Sequence, residues 1–289
     1  MSQHPYRVVD VFGSAPLLGN PVAVVHGADN MDDARMHAFA RWTNLSETTF
    51  LLAPTDPRAD YRVRIWTPGG ELPFAGHPTL GSCHAWREAG GVAARAGVFV
   101  QECEAGLVEV AVDRSGDGSG DGGEGRLAFV APPLDRRALD EATLERACAA
   151  LGVARERVVD AQSLRNGPDW LTLLLDSAAT VLALEPDAKG LLDFRAVGAV
   201  GPHAAGHPVD FEVRGFVGGR APYEDPVTGS LNAGIGEWLM ASSRAPEAYV
   251  AGQGARLQRD GRVHLRRDAA GRLTVGGTTR TIVRGEVEL

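Results

Sequence analysis

The sequence predicts an α+β protein built from two related halves, and three observations lead there. Short segments rich in Val, Ile, Thr and aromatics, bounded by Gly, Pro or Asp, alternate with stretches of helical period. Residues 78–89 (PTLGSCHAWREA) and 227–241 (VTGSLNAGIGEWLMA) read as helices dense in Gly, Ala and Ser with few charges, the composition of a helix buried nearly all round. The segments HPTLGS (residues 77–82) and DPVTGS (residues 225–230) match in Pro, Gly and Ser at a spacing of 148 in a chain of 289, as an internal duplication would.

Taken in order, strands are expected at residues 6–12, 21–26, 48–52, 61–66, 98–103, 108–112, 127–130, 170–175, 210–216, 263–265, 273–276 and 281–288. An amphipathic helix is expected at residues 32–43, with Asn44 at its C-terminal end. Another spans 141–151, where Leu144, Ala147, Cys148 and Leu151 share a face and Gly152 is the stop. Glycine in a helix costs about 1 kcal/mol relative to alanine, so the glycines of the two small-residue helices need a packing reason. Residues 113–126 (DRSGDGSGDGGEGR) carry no apolar side chain and read as a solvated hairpin tip. Gly118, Gly120 and Gly123 form GxGxxG, but no helix follows, and Asp117, Asp121 and Glu124 repel phosphate. Calcium-loop spacing from Asp117 puts Ala128 where the bidentate Glu belongs. The halves are expected at residues 1–130 and 131–289, with the last strand crossing back to the first.

Composition narrows the function. With 37 acidic residues against 29 basic ones, the net charge of -8 argues against a nucleic-acid partner. No apolar run approaches the ~18 residues of a membrane-spanning helix, and no secretory h-region opens the chain. The three cysteines, Cys83, Cys103 and Cys148, form no CxxC pair, so a reducing cytoplasm is expected. No metal site is expected either. His203 and His207 have helical spacing but sit in GPHAAGHP, and His77, Cys83 and His84 have no ligand spacing. HExxH, Walker-lysine and GxSxG motifs are absent. A triad of Ser230, His77 and Asp225 is awkward, because Ser230 follows Asp225 by only five residues.

Two features could carry chemistry. At the duplicated element, proline suits a first helical turn, and Asp225 is expected as an N-cap, His77 as a poorer one. The Gly and Ser that follow leave backbone N–H groups uncovered at a positive helix end, a site for a small carboxylate. If a pseudo-twofold axis relates the halves, both helix ends face one cleft. The other feature is Glu47, in TNLSETTF (residues 43–50), among β-branched and aromatic residues. It reads as a general acid/base, as an exposed strand carboxylate, or as a capping partner of Ser46.

These motifs together resemble the PhzF-like isomerase family of phenazine biosynthesis, within the diaminopimelate-epimerase-like fold. The resemblance runs over VVDVFGSAPLLGNPVAVV (residues 8–25), NLSETTFL (44–51), ELPFAGHPTLGS (71–82), YEDPVTGSLNAG (223–234) and AGQGARLQRDGRV (251–263). It implies two halves, each a β-barrel-like sheet around a central helix, with the site between them. It also implies a homodimer that uses neither metal nor organic cofactor. Carried over residue by residue, the acid/base carboxylate is Glu47, the site histidine and aspartate are His77 and Asp225, and the substrate-binding residues are Gly76, Gly229 and Ser230. The reaction implied moves a proton on a small cyclic or amino-acid-like carboxylate, as in isomerisation of a dihydro-hydroxyanthranilate. Epimerases and racemases of this fold use a cysteine at the start of each central helix, where this chain has His77 and Asp225. A non-catalytic carboxylate-binding protein is the remaining alternative. Trp66, Trp170 and Tyr223 lie outside the motifs and have no place in this reading.

Overall fold

The valine-rich start of the chain folds as two antiparallel strands, β1 (Gln3–Val11) and β2 (Asn20–Val25). The structure, a computed structural model, describes residues 2–113, 126–219 and 221–289. Helix α1 (Asp33–Thr43) is capped by the Asp32 carboxylate, which accepts from the Arg35 N–H at 2.8 Å, and ends at Asn44 in the left-handed region, φ 54°. Strand β3 (Glu47–Leu52) then lies parallel to β2. Strands β4 (Tyr61–Thr67) and β5 (Gly70–Leu72) follow as an antiparallel pair, and helix α2 (Gly76–Glu88) comes next. Strand β6 (Val98–Cys103) runs parallel to β4, and β7 (Gly106–Asp113) and β8 (Arg126–Val130) continue antiparallel. The β7–β8 ladder ends with Asp113 opposite Arg126. The Gly/Asp-rich stretch between them, with Gly118, Gly120 and Gly123, lies outside the described residues.

The chain continues through β9 (Asp135–Ala138), α3 (Glu141–Leu151), β10 (Val158–Arg165) and β11 (Asp169–Leu175). Two short helices, α4 (Ala178–Leu182) and α5 (Ala188–Leu191), precede β12 (Ala196–Pro202), β13 (Phe211–Val217) and β14 (Tyr223–Asp225). Helix α6 (Gly229–Ala241) is followed by β15 (Ala248–Gln253), β16 (Gly261–Arg267), β17 (Leu273–Gly277) and β18 (Thr279–Glu288), the last antiparallel to β1. Two compact units result: Met1–Val130 with Gly276–Leu289, and Ala131–Val275.

The two units share one pairing scheme. Each begins with an antiparallel pair, β1–β2 or β10–β11. A helical crossover then adds a parallel strand, β3 on β2 or β12 on β11. An antiparallel strand follows, β4 or β13, and carries a short partner, β5 or β14. After the central helix, β6 returns parallel to β4 and β15 parallel to β13. The likeness extends to side chains. On β4, Arg64 pairs with Glu71 of β5 at 2.6 Å and lies 5.3 Å over the Trp66 ring. On β13, Arg214 pairs with Glu224 of β14 at 2.8 Å and lies 5.0 Å over Phe216.

Glycine lets each central helix pack inside its sheet. A Cβ on Gly81 of α2 would stand 2.3 Å from Val22 Cγ1 and 3.3 Å from Val11 Cγ2. One on Gly234 of α6 would stand 3.1 Å from Leu164 Cβ, and one on Gly236 would meet Leu265 at 2.5 Å. The strands yield too: a Cβ on Gly198 of β12 would meet Leu231 of α6 at 2.5 Å. Outside these helices, Met36, Phe39, Phe50 and Trp66 pack under α1. Leu144, Ala147, Cys148 and Leu151, the face expected of α3, pack with Leu173, Leu175 and Phe216.

The repeat register differs from the motif spacing. The helices start at Gly76 and Gly229, and the two packing glycines fall six residues into each, so the offset there is 153 rather than 148. Helix α2 therefore starts two residues before the expected 78 and α6 two after the expected 227. Close packing of Gly81 and Gly234 sets the register, and the short motif slides against it by five residues.

Replacing Gly81 by Ala is expected to cost about 1–3 kcal/mol through overpacking. Gly234→Ala stays within about 1 kcal/mol, because the helix propensity of Ala offsets a milder contact. Gly285→Ala, where nothing lies within 4 Å, stays within about 0.5 kcal/mol. Urea unfolding midpoints check the order.

Candidate active site

In the first unit the chain brings Glu47 and His77 together. Glu47 opens β3, where its side chain is 14% exposed, and its Oε2 lies 3.3 Å from His77 Nε2. The contact is close without hydrogen-bond alignment. His77 is the second residue of α2 and is buried. On its other side, Asn20 Nδ2 donates to His77 Nδ1 at 3.4 Å. Asn20 Oδ1 accepts from Ser46 Oγ at 3.3 Å. Ser46 is thus engaged with Asn20, and the open-strand and capping alternatives for Glu47 do not describe its surroundings.

The glycine-rich loop before β2 presents Asn20. Both Asp10 oxygens accept from the Gly19 N–H, at 3.1 and 3.2 Å. A Cβ on Gly19 would sit 2.2 Å from the Val11 carbonyl oxygen, and one on Gly13 would sit 2.8 Å from Asp10 Oδ2. Only glycine allows the chain so close at these two positions. Asn20 and Asp10 were not among the expected site residues. Their signal was the DVFG…GNP spacing itself, in which a buried Asp faces a glycine nine residues on.

In the second unit, Asp225 is not a helix cap. It ends β14, opposite Gly215 of β13, and α6 begins only at Gly229 after the N-cap Thr228. Its carboxylate accepts from Thr228 Oγ1 at 2.6 Å. His77 departs from the expected cap position the other way. Ala75 is the N-cap of α2, and Pro78 is the third helical residue, where its missing N–H still costs nothing. By helix register His77 therefore corresponds to Ser230, and by strand register Asp225 corresponds to Leu72.

Neither central helix has a side-chain cap, so the leading amides, including those of Gly76 and of Gly229 and Ser230, carry no side-chain acceptor at their caps. Such a helix start attracts anions. Ser230 is held from behind: Trp170 Nε1 donates to its hydroxyl at 3.1 Å and Asn166 Nδ2 to its carbonyl at 2.8 Å. That places Trp170 beside the candidate site. Trp66 instead packs under Arg64, and Tyr223 is exposed on β14.

The thiols are placed otherwise. Cys83 lies midway along α2, fully buried, and burial pushes its thiol up to about 12. Burial raises Cys103 and Cys148 as well. Among the described residues, no three His, Cys, Asp or Glu side chains converge as metal ligands, and no helix is long and apolar enough to cross a membrane.

Burial also pushes His77 down, to about 3, so the folded protein keeps it neutral. The unfolded chain titrates it near 6.5 and takes up the proton first as pH falls. The neutral His77 therefore contributes stability above pH ~6.5 that is lost progressively towards pH ~3. His77→Gln is expected to lose less unfolding free energy than the parent between pH 7 and pH 4, by on the order of 2–3 kcal/mol. Urea titrations at the two pH values measure this.

Comparison with known proteins identifies the family. The family described as phenazine biosynthesis-like protein (PhzC-PhzF) matches residues 9–285. Antisense-enhancing sequence 1 of Schizosaccharomyces pombe is 33% identical over 99% of both chains. The trans-2,3-dihydro-3-hydroxyanthranilate isomerase of Pseudomonas aeruginosa is 34% identical, over 93% of this chain and 92% of its own. A Bacillus anthracis phenazine biosynthesis protein of the PhzF family superposes with a TM-score of 0.83 over all of both chains at 20% identity, a likeness of fold. The α+β architecture is that of the diaminopimelate-epimerase-like class. With its family motif spanning nearly the whole chain and isomerases among its relatives, this protein belongs to the PhzF-like family of isomerases.

Proposed function

We propose that this isomerase moves a proton on a small cyclic or amino-acid-like carboxylate, without a cofactor, using Glu47 as acid and base. The observation that carries the reading is the Glu47–His77 pair: a mostly buried carboxylate 3.3 Å from a histidine that burial keeps neutral. Glu47 takes the proton from a carbon next to an unsaturated system, and the electron pair moves into that system. The protonated Glu47 exchanges its proton with water and delivers one to another carbon, so the product is an isomer and nothing else is consumed. His77 and Asp225 hold hydroxyl or amino substituents and relay protons. The amides of Gly76, Gly229 and Ser230 fix the carboxylate and stabilise charge as it develops. The substrate named for the Pseudomonas aeruginosa relative, trans-2,3-dihydro-3-hydroxyanthranilate, is the first candidate. A homodimer in a reducing cytoplasm belongs to the same reading and suits three free, buried thiols.

Two-cysteine epimerisation finds little support in these residues. It needs a reactive thiol at each helix start, whereas Cys83 is sealed inside α2 with its thiol held at about 12. A purely carboxylate-binding role would leave the Glu47–His77 pair without a task.

Glu47→Gln is expected to lower turnover about 10²–10⁴-fold while leaving thermal unfolding and ligand binding close to the parent. In heavy water the parent incorporates deuterium at the carbon that is reprotonated, and the variant does not, as NMR of the product reads directly. An unchanged rate in the variant would refute the acid/base role. Iodoacetamide is expected to leave the folded enzyme active, and stoichiometric inactivation that substrate prevents would return the thiol mechanism.

A further inference from the structure

The turn that presents Asp225 is tied by one buried amide. Gln253, the last residue of β15, is 2% exposed. Its Oε1 accepts from the Thr228 N–H at 3.0 Å and from Asn232 Nδ2 at 2.8 Å. Its Nε2 donates to the Asp225 carbonyl at 3.0 Å and to Thr228 Oγ1 at 2.9 Å. A backbone N–H only donates and a carbonyl only accepts, so the amide has a single orientation that satisfies both ends. The consequence falls on Thr228. Its hydroxyl oxygen accepts from Gln253, which leaves its own proton for the neighbour on the other side, Asp225 Oδ2 at 2.6 Å. Space for this comes from β13, where a Cβ on Gly215 would stand 3.0 Å from Thr228 Oγ1.

We infer that Gln253 and Thr228 are positioning residues that aim a hydroxyl proton at Asp225 and so hold its side chain as an oriented, hydrogen-bond-accepting carboxylate. The inference rests on Asp225 belonging to the site. Neither residue stood among the sequence-derived candidates, because each acts through Asp225. A neutral structural strut would need the same packing but no particular direction for the hydroxyl proton. The isosteric replacement Thr228→Val removes the proton and keeps the shape, while Thr228→Ser keeps the proton.

The test reads the carboxyl ¹³C resonance of Asp225 in the full chain at fixed pH, assigned by its loss in Asp225→Asn. Thr228→Val and Gln253→Met are expected to move it in the same direction, and Thr228→Ser to leave it in place. An unmoved resonance in Thr228→Val overturns the proposal. A resonance that moves in Thr228→Val but not in Gln253→Met overturns the part assigned to Gln253. With trans-2,3-dihydro-3-hydroxyanthranilate as probe, Thr228→Val is expected to lower kcat by about tenfold or more, the loss of one charge-assisted hydrogen bond, with KM within about threefold. Thr228→Ser stays near the parent. If the resonance moves as expected while Asp225→Asn turns over normally, the catalytic reading of Asp225 fails and the positioning stands.

Discussion

A helix buried over its first turns must find partners for its leading N–H groups or present them to something else. Both central helices meet this constraint without a side-chain cap, and the rest of the site follows from it. In α2 every residue from Gly76 to Cys83 is buried, and in α6 every residue from Gly229 to Gly236. Glycine on helix and strand permits that burial, and polar residues around the helix starts take partners from the protein, as Ser230, Asn232 and Thr228 do.

The two units answer with different chemistry on one scaffold. In the first, a glycine-rich loop clamped by Asp10 delivers Asn20, whose amide hydrogen-bonds His77 beside Glu47. In the second, Gln253 ties the turn between Asp225 and Thr228. In both, a buried side-chain amide with no charge of its own hydrogen-bonds an ionisable residue. The two units share the sheet pairing, the central helix and the Arg–Glu pair beside an aromatic ring. The ionisable groups differ, so that His77 corresponds to Ser230 and Asp225 to Leu72.

Much of this was legible in residue patterns. The valine-rich strands, the stops at Asn44 and Gly152 and the buried character of both central helices come from local chemistry that neighbouring residues specify. Strand β12 is not among the expected strands, and Gly198 and Gly201 interrupt its apolar pattern. They are there because Leu231 and the Ser177 carbonyl press against the strand, at 2.5 and 2.4 Å from where a Cβ would be. Strand β10 was missed because VVDAQSLR alternates weakly, and its place is set by pairing with β9 and β11. Asp225 was misplaced because Asp-Pro is a good helix opening locally, while the pairing with β13 and the grip of Gln253 keep the chain extended there.

The sequence by itself determined the α+β class, the family and the identity of Glu47, His77, Asp225, Gly76, Gly229 and Ser230 as candidates. Those are matters of residue type and order, which a single chain carries openly. Only the tertiary structure decided the register of the repeat, the contact of Glu47 with His77, the bond between Asn20 and His77 and the tie from Gln253 to Thr228 and Asp225. Each depends on which atoms meet across 20 to 60 residues of chain, and packing, not local preference, chooses those meetings.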